Sequence, residues 1–263
     1  MQASPTLDSA PGHAAAPAAS TASTASAPRR LVTDAPTRMF HGLFALSFLG
    51  AYLTADGEHF RLLHVTLGYT MAGLLAFRVL YGLFGPRQAG LGLLWRKLTG
   101  LPAWLRSVRS APSLSAIHWR QAQNLLMALA VFALLVMVLP LTLSGYGTYN
   151  DWGDVLGGDW LEEVHEFFGE AFLFVVLAHL ALIAGLSLLR RKNQAAPMWS
   201  GRVDGPGPNL VQNNRVWLAA LLLIAVLAYG AWEWQQSPNG LVSTQSISGL
   251  ATGDGEDRDR DDD

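Results

Sequence analysis

The sequence predicts an all-α integral membrane protein, a bundle of helices that cross a lipid bilayer. Of the 263 residues, 51% are hydrophobic and only 14% are charged. Apolar stretches of about 20 residues, the length that a helix needs to cross the hydrocarbon core, recur along the chain, and the charges lie between them. There is no cysteine, which excludes disulfides, iron–sulfur clusters and thiolate zinc sites.

Five membrane spans are predicted, in chain order. They extend over about residues 35–54, 60–84, 121–144, 162–189 and 215–234. Pro140 lies near the end of the third span, where neighbouring helices can satisfy the carbonyl that a proline frees. Trp217, Trp232 and Trp234 flank the fifth span as interface anchors. Residues 1–30, rich in Ala, Ser, Thr and Pro, and the acidic residues 236–263 are expected to be disordered tails.

The sign of the charge alternates from loop to loop. Arginine and lysine precede the first span, fill the loop 85–120, which contains no acid, and recur between the fourth and fifth spans. The loops at Asp56 and Glu58 and at 151–163 are acidic. Because lysine and arginine favour the cytoplasmic side, we expect a protein of the bacterial inner membrane with a cytoplasmic N-terminus and a periplasmic C-terminus.

Four histidines fall inside the predicted spans at two depths. His165 and His179 are fourteen residues apart on the fourth span, hence within about 40° on one helix face and about 21 Å apart along its axis. The predicted topology puts His64 level with His165 near the outer side, and His41 level with His179 near the cytoplasm. Ionisable groups inside spanning helices are costly and usually functional.

Two imidazoles that face each other across a helical bundle suit a haem iron, which takes one axial ligand from each side. We therefore predict an outer haem between His64 and His165 and an inner haem between His41 and His179. Small residues would give the porphyrin room, and the candidates are Gly68, Ala72, Gly73 and Gly169. A zinc ion fits less well because it needs a third or fourth ligand at the same level. The competing interpretation is that the histidines only form hydrogen bonds between helices.

The chain resembles the bacterial cytochrome b561 family, which includes the b-type cytochrome subunits of nickel–iron hydrogenases. The similarity covers about residues 36–195 and rests on Arg38 with His41, His64 with Gly68, Arg78, Tyr81-Gly82, Gly85-Pro86-Arg87, His165-Glu166 and His179. It implies a four-helix core with two b haems, here residues 31–195, whose fourth helix ligates both. A cytoplasmic loop, 196–214, and a fifth transmembrane helix, 215–235, then lie outside this core. Gly42 departs from the family, which often has tryptophan there.

The resemblance also implies electron transfer between the quinone pool and a redox partner. The expected partners are membrane lipid, quinone or quinol, and a periplasmic cytochrome c or a membrane-associated dehydrogenase or hydrogenase; no nucleic acid is expected. The acidic outer loops suit a basic cytochrome c, because complementary charge steers encounter. This electron-transfer role is favoured over a self-sufficient enzyme such as a superoxide:quinone oxidoreductase. A haem-free transporter or scaffold is the third hypothesis.

Arg78 lies fourteen residues after His64 and hence near the same helix face. It is a candidate partner for a propionate of the inner haem. A snorkelling arginine at the membrane interface explains it equally well. No catalytic residue is predicted.

Overall fold

The computed structural model describes residues 28–116 and 118–237, which are helical along most of their length. The predicted tails lie largely outside these residues. In chain order the helices and strands are β1 (Arg29–Leu31), α1 (Ala35–Leu53), α2 (Arg61–Phe84), α3 (Leu91–Leu98), α4 (Leu101–Arg109), α5 (Trp119–Tyr149), α6 (Trp152–Leu156), α7 (Trp160–Arg190), α8 (Ala196–Ser200), β2 (Arg202–Asp204) and α9 (Val216–Gln236). Single 3₁₀ turns lie at Glu58–Phe60, Arg87–Ala89 and Leu114–Ala116.

Four helices in the described part of the chain are long and apolar enough to cross a membrane. They are Glu58–Phe84, which is α2 with its preceding turn, Trp119–Tyr149, Trp160–Arg190 and Val216–Gln236. The predicted first span forms α1, whose 19 residues are long enough, but Arg38 and His41 in its first turns make it less apolar than the other four. The predicted all-α membrane bundle is confirmed, with four such helices where the sequence suggested five.

The bundle is built from four helices, with α9 on its outside. Helix α5 packs along α7 and also against α2, and α1 packs between α2 and α9. Phe172 on α7, with 1% of its surface exposed, lies at the centre of the core with Met71, Leu75, Val138 and Leu141. Its ring also packs against Phe48 of α1, with 4.7 Å between the ring centroids. Because Phe172 is midway along the chain between His165 and His179, this packed layer separates the two histidine levels.

The N-terminal segment is tied to the loop before α9. Strand β1 pairs antiparallel with β2, with Arg29 opposite Asp204. The Leu31 N–H donates to Asn209 Oδ1 over 2.7 Å. The sequence pattern alone places Arg29 and Arg30 in the tail and 196–214 in a loop. Three-residue strands show too little periodicity to be recognised, and their pairing joins segments that are 173 residues apart.

A buried carboxylate holds the start of α1. Asp34, 1% exposed, accepts a hydrogen bond from the Thr37 N–H over 3.3 Å and another from the Tyr81 hydroxyl of α2 over 2.5 Å. A side chain that accepts from the first turn of a helix satisfies a backbone donor that would otherwise be orphaned. Asp34 therefore fixes the start of α1 to the end of α2, close to His41.

Candidate functional site

The structure brings His64 and His165 together. His64 lies in the first turn of α2 and His165 in the second turn of α7. The centroids of their rings are 5.9 Å apart and the ring planes are inclined by 79°. Two imidazoles reach a separation close to this when each places one nitrogen about 2 Å from a single shared metal atom. The predicted outer pair thus has the spacing of two axial ligands.

Backbone carbonyls fix the orientation of both outer rings. His64 Nδ1 lies 2.8 Å from the carbonyl oxygen of Ala51, at the end of α1. His165 Nδ1 lies 2.9 Å from the carbonyl oxygen of Leu141 on α5. Since a carbonyl oxygen can only accept, each Nδ1 carries the proton, and a neutral ring then keeps its lone pair on Nε2. This is the arrangement in which a metal-binding histidine is held by its second nitrogen.

A cavity of about 740 Å³ surrounds the two rings at the outer end of the bundle. It lies between the end of α1, the start of α2, the end of α5 and the start of α7. Its volume is within the range of about 300–1,000 Å³ that is usual for cofactor and ligand pockets. The outer site therefore has room for a macrocycle beside its two imidazoles.

Three glycines in the cavity wall keep this space open. A Cβ atom added at Gly68 would meet nothing within 4 Å, and at Gly169 only one side-chain atom, 4.0 Å away. A Cβ at Gly145 would lie 2.7 Å from Cε1 of His165. Gly68 and Gly169 were among the predicted small residues. Gly145 was missed, because its role appears only when the register of α5 against α7 is known.

The polar part of the cavity wall is mainly acidic. Its carboxylates belong to Asp56, Glu58, Glu162, Glu166 and Glu170. Arg61 is the single arginine or lysine among the residues found to line this cavity. Its guanidinium carbon lies 5.7 Å from the centroid of the Tyr149 ring, and one of its nitrogens is 3.8 Å from a carboxylate oxygen of the exposed Glu58. The sequence analysis did not single out Arg61.

The inner histidines are less tightly held. His41 is exposed at the edge of the bundle, whereas the Nδ1 atom of His179 is buried and has no hydrogen-bond partner among the described residues. A Cβ atom at Gly42 or Gly73 would meet nothing within 4 Å. The inner pair thus combines a buried ring nitrogen of His179 that has no hydrogen-bond partner among the described residues with open space beside Gly42 and Gly73.

The side chains that could act as metal ligands indicate which kind of group these sites can hold. Within residues 28–116 and 118–237, no three histidine, aspartate or glutamate side chains are grouped so that they could hold a metal ion by themselves. A structural zinc ion needs four ligands. A haem iron takes four of its ligands from the porphyrin and needs only the two axial ones from protein. The two histidine pairs therefore fit a haem better than a bare ion.

Arg78 already has a hydrogen-bond partner near the C-terminal end of α2. Its Nη1 atom donates to the Ala89 carbonyl oxygen over 2.9 Å, and its charge interacts with that of Asp34. These contacts give the arginine a structural role between α2 and the turn that follows it. Its pairing with a propionate stays a prediction.

Comparison with known proteins gives one match. The family model described as prokaryotic cytochrome b561 matches residues 32–201. This is more than half of the chain and includes His41, His64, His165 and His179, whereas α9 lies beyond it. No curated protein and no solved structure matches the chain.

Proposed function

Since the chain belongs to the prokaryotic cytochrome b561 family, we propose that it binds two b haems, one between His64 and His165 and one between His41 and His179. Membership confirms the family resemblance and makes the protein a membrane-bound electron-transfer protein with b-type haem. The observation that carries the site assignment is the outer pair, whose ring centroids lie 5.9 Å apart beside a cavity that both rings line.

The protein's own residues have defined tasks at these sites. A bound b haem supplies reversible one-electron oxidation and reduction. The Ala51 and Leu141 carbonyls hold the outer imidazoles by Nδ1, so that both Nε2 atoms are presented to the cavity. The glycines leave the space for the macrocycle. The layer around Phe172 keeps the two sites apart and excludes water between them.

We infer that electrons pass between the quinone pool and a redox partner, across a bacterial inner membrane with the outer pair on the periplasmic side. The basic loop between α2 and α5 and the acidic wall of the outer cavity support this orientation. Glu166 and Glu170 lie in that wall and are placed to exchange protons with a quinol. The acidic outer side suits a basic periplasmic cytochrome c, and a membrane-associated dehydrogenase or hydrogenase is the other partner class.

The acidic wall favours an electron-transfer subunit over a self-sufficient superoxide:quinone oxidoreductase. Five carboxylates and a single arginine line the outer cavity. Such a wall repels superoxide, which is an anion, and like charges held close together are unfavourable. A quinol is neutral and does not meet this barrier.

The proposed function is tested on the purified protein in nanodiscs. Addition of a reduced short-chain quinol is expected to reduce both haem components, as followed by reduced-minus-oxidised absorption spectra. Steady-state oxidation of the quinol is expected only when an oxidised cytochrome c or another electron acceptor is added. A protein without b-type absorption would contradict the haem assignment, and turnover of superoxide without a partner would favour the stand-alone enzyme.

A further inference from the structure

We propose that Arg61 and Thr148 form a carboxylate-binding point at the mouth of the outer cavity, where they hold a propionate of the outer haem. This inference rests on the proposed function, because it takes the ligand of the outer cavity to be a b haem. It adds two residues that neither the sequence pattern nor the histidine geometry identifies.

The residues of the cavity wall form three layers along the bundle axis. On α2 the order from the mouth inward is Arg61, His64 and Gly68. On α7 it is Glu162, His165 and Gly169. Because residues three and four apart share a helix face, each helix offers a polar residue at the mouth, a histidine below it and a glycine deepest.

Helix α5 runs in the opposite direction and completes the same layers. Gly145 lies against the His165 ring, and Thr148 follows three residues later, one turn closer to the mouth. Arg61 and Thr148 both line the main cavity, and both also line a smaller cavity of about 260 Å³ beside it. The two side chains thus belong to one polar layer, directly outside the histidine layer.

Arg61 supplies the positive charge that a propionate needs in this place. The other charged side chains of the wall, apart from the histidines, are carboxylates. A propionate is therefore repelled there unless a cation accompanies it, and the planar guanidinium matches a carboxylate with two parallel hydrogen bonds. The contact of Arg61 with Glu58 is long, at 3.8 Å, and both side chains are more than half exposed. Such an ion pair is weak and exchanges readily for a better partner.

Thr148 supplies an unused hydroxyl. Its Oγ1 atom is buried and has no hydrogen-bond partner among the described residues, whereas buried polar groups are normally satisfied. Two other hydroxyls on the same helix behave differently. Thr142 donates to the Val138 carbonyl over 2.8 Å, and Ser144 donates to the Pro140 carbonyl over 2.7 Å. Thr148 therefore has a donor to offer to a ligand oxygen in the cavity.

The test is a redox titration of Arg61→Gln, Arg61→Lys and Thr148→Val in nanodiscs, with haem content measured in parallel. Loss of the positive charge beside a propionate favours the ferric state, so Arg61→Gln is expected to lower the midpoint potential of the outer component alone. Arg61→Lys is expected to give a smaller shift, and Thr148→Val a smaller shift in the same direction. Thr70→Val on α2 is the control, since Thr70 does not line the cavity and its hydroxyl already donates to the Thr66 carbonyl over 2.8 Å; it is expected to leave both potentials unchanged.

The possible failures are distinguishable. If the outer and inner midpoint potentials of Arg61→Gln both equal those of the wild type, the inference is overturned. The haem assignment then remains intact. If Arg61→Gln holds no outer haem, Thr148→Val decides the question: a shift of the outer potential supports the inference, and behaviour identical to Thr70→Val overturns it. A wild-type protein without an outer component would instead refute the proposed function, on which the inference rests.

Discussion

The outer and inner histidine pairs differ in how firmly the protein holds them. Both outer rings donate to backbone carbonyls of neighbouring helices, over 2.8 and 2.9 Å, and they face a cavity of about 740 Å³. In the inner pair, His41 is exposed and the buried Nδ1 of His179 has no partner in the part of the chain that the structure describes. The same residue type is therefore presented in two different ways along one helix, α7.

The outer site is therefore preorganised, whereas the orientation of the inner histidines depends on a bound ligand. Rings that are already oriented lose little conformational freedom when a ligand binds, which favours affinity. We therefore expect the outer site to retain its haem under mild denaturing conditions that already empty the inner site.

Replacement of single histidines is expected to have the largest effect. His64→Ala and His165→Ala should remove one and the same spectral and redox component, and His41→Ala and His179→Ala the other, because about 21 Å along α7 is too far for one haem to be bound at both levels. Redox titration with spin-state spectroscopy measures this, and yield and monodispersity control for misfolding. Loss of the same component in His41→Ala and His165→Ala would show that the pairing is wrong.

Removal of the ring between the two levels should affect both sites. Phe172→Ala removes a ring that is 1% exposed from the core cluster, and a large-to-small change of this kind costs about 3–5 kcal/mol. Thermal unfolding in detergent should show a lower Tm together with weaker retention of both haem components. Phe174→Ala, on the same helix but 73% exposed, is the matched control. Equal Tm values for the two variants would contradict the central position of Phe172.

Gly145→Ala should disturb the outer site alone. The added methyl group would lie 2.7 Å from the His165 ring, and overpacking of this kind costs about 1–3 kcal/mol. The expected result is a shifted or partly high-spin outer component with an unchanged inner one. Gly230→Ala on α9, where a Cβ meets nothing within 4 Å, should leave both components as they are. A change confined to the inner component would contradict the assignment of His165.

The exposed ion pair between β1 and β2 should matter least. Arg29 Nε lies 3.1 Å from a carboxylate oxygen of Asp204, but the two side chains are 49% and 72% exposed. Pairs of this kind contribute about 0.2–1 kcal/mol. A double-mutant cycle with Arg29→Ala and Asp204→Ala should give a coupling in this range or below, with both haem components intact. A coupling several times larger would mean that the strand pair is essential to the bundle.

The sequence predicted those features that depend on local spacing. The long helices follow from apolar length, and the order of the histidines along the bundle follows from their positions in the helices. The proximity of His64 and His165 could be anticipated, because it required only the position of each histidine along its helix and the end of the bundle at which it lies. In the same way, Gly68 and Gly169 could be proposed from their spacing to these histidines.

Features that depend on register between distant segments were not predictable. Gly145 and Thr148 gain their roles from the alignment of α5 with α7, which apolar sequence does not specify. The acceptor of each outer imidazole is a backbone carbonyl, and every residue has one, so Ala51 and Leu141 carry no signal. Helices α3 and α4, with 8 and 9 residues, are amphipathic and far shorter than a membrane span, so a search for long apolar stretches does not reveal them.

The number of b haems bound per chain distinguishes two haem sites from one or none. A pyridine haemochrome assay on protein quantified by amino-acid analysis, combined with a redox titration, should give about two haems per chain in two resolvable components, because each iron takes one axial histidine from each side. A value of about one haem per chain that stays the same when His41 is replaced by alanine would show that there is no inner haem site. A value near zero in freshly isolated membranes would contradict the account as a whole.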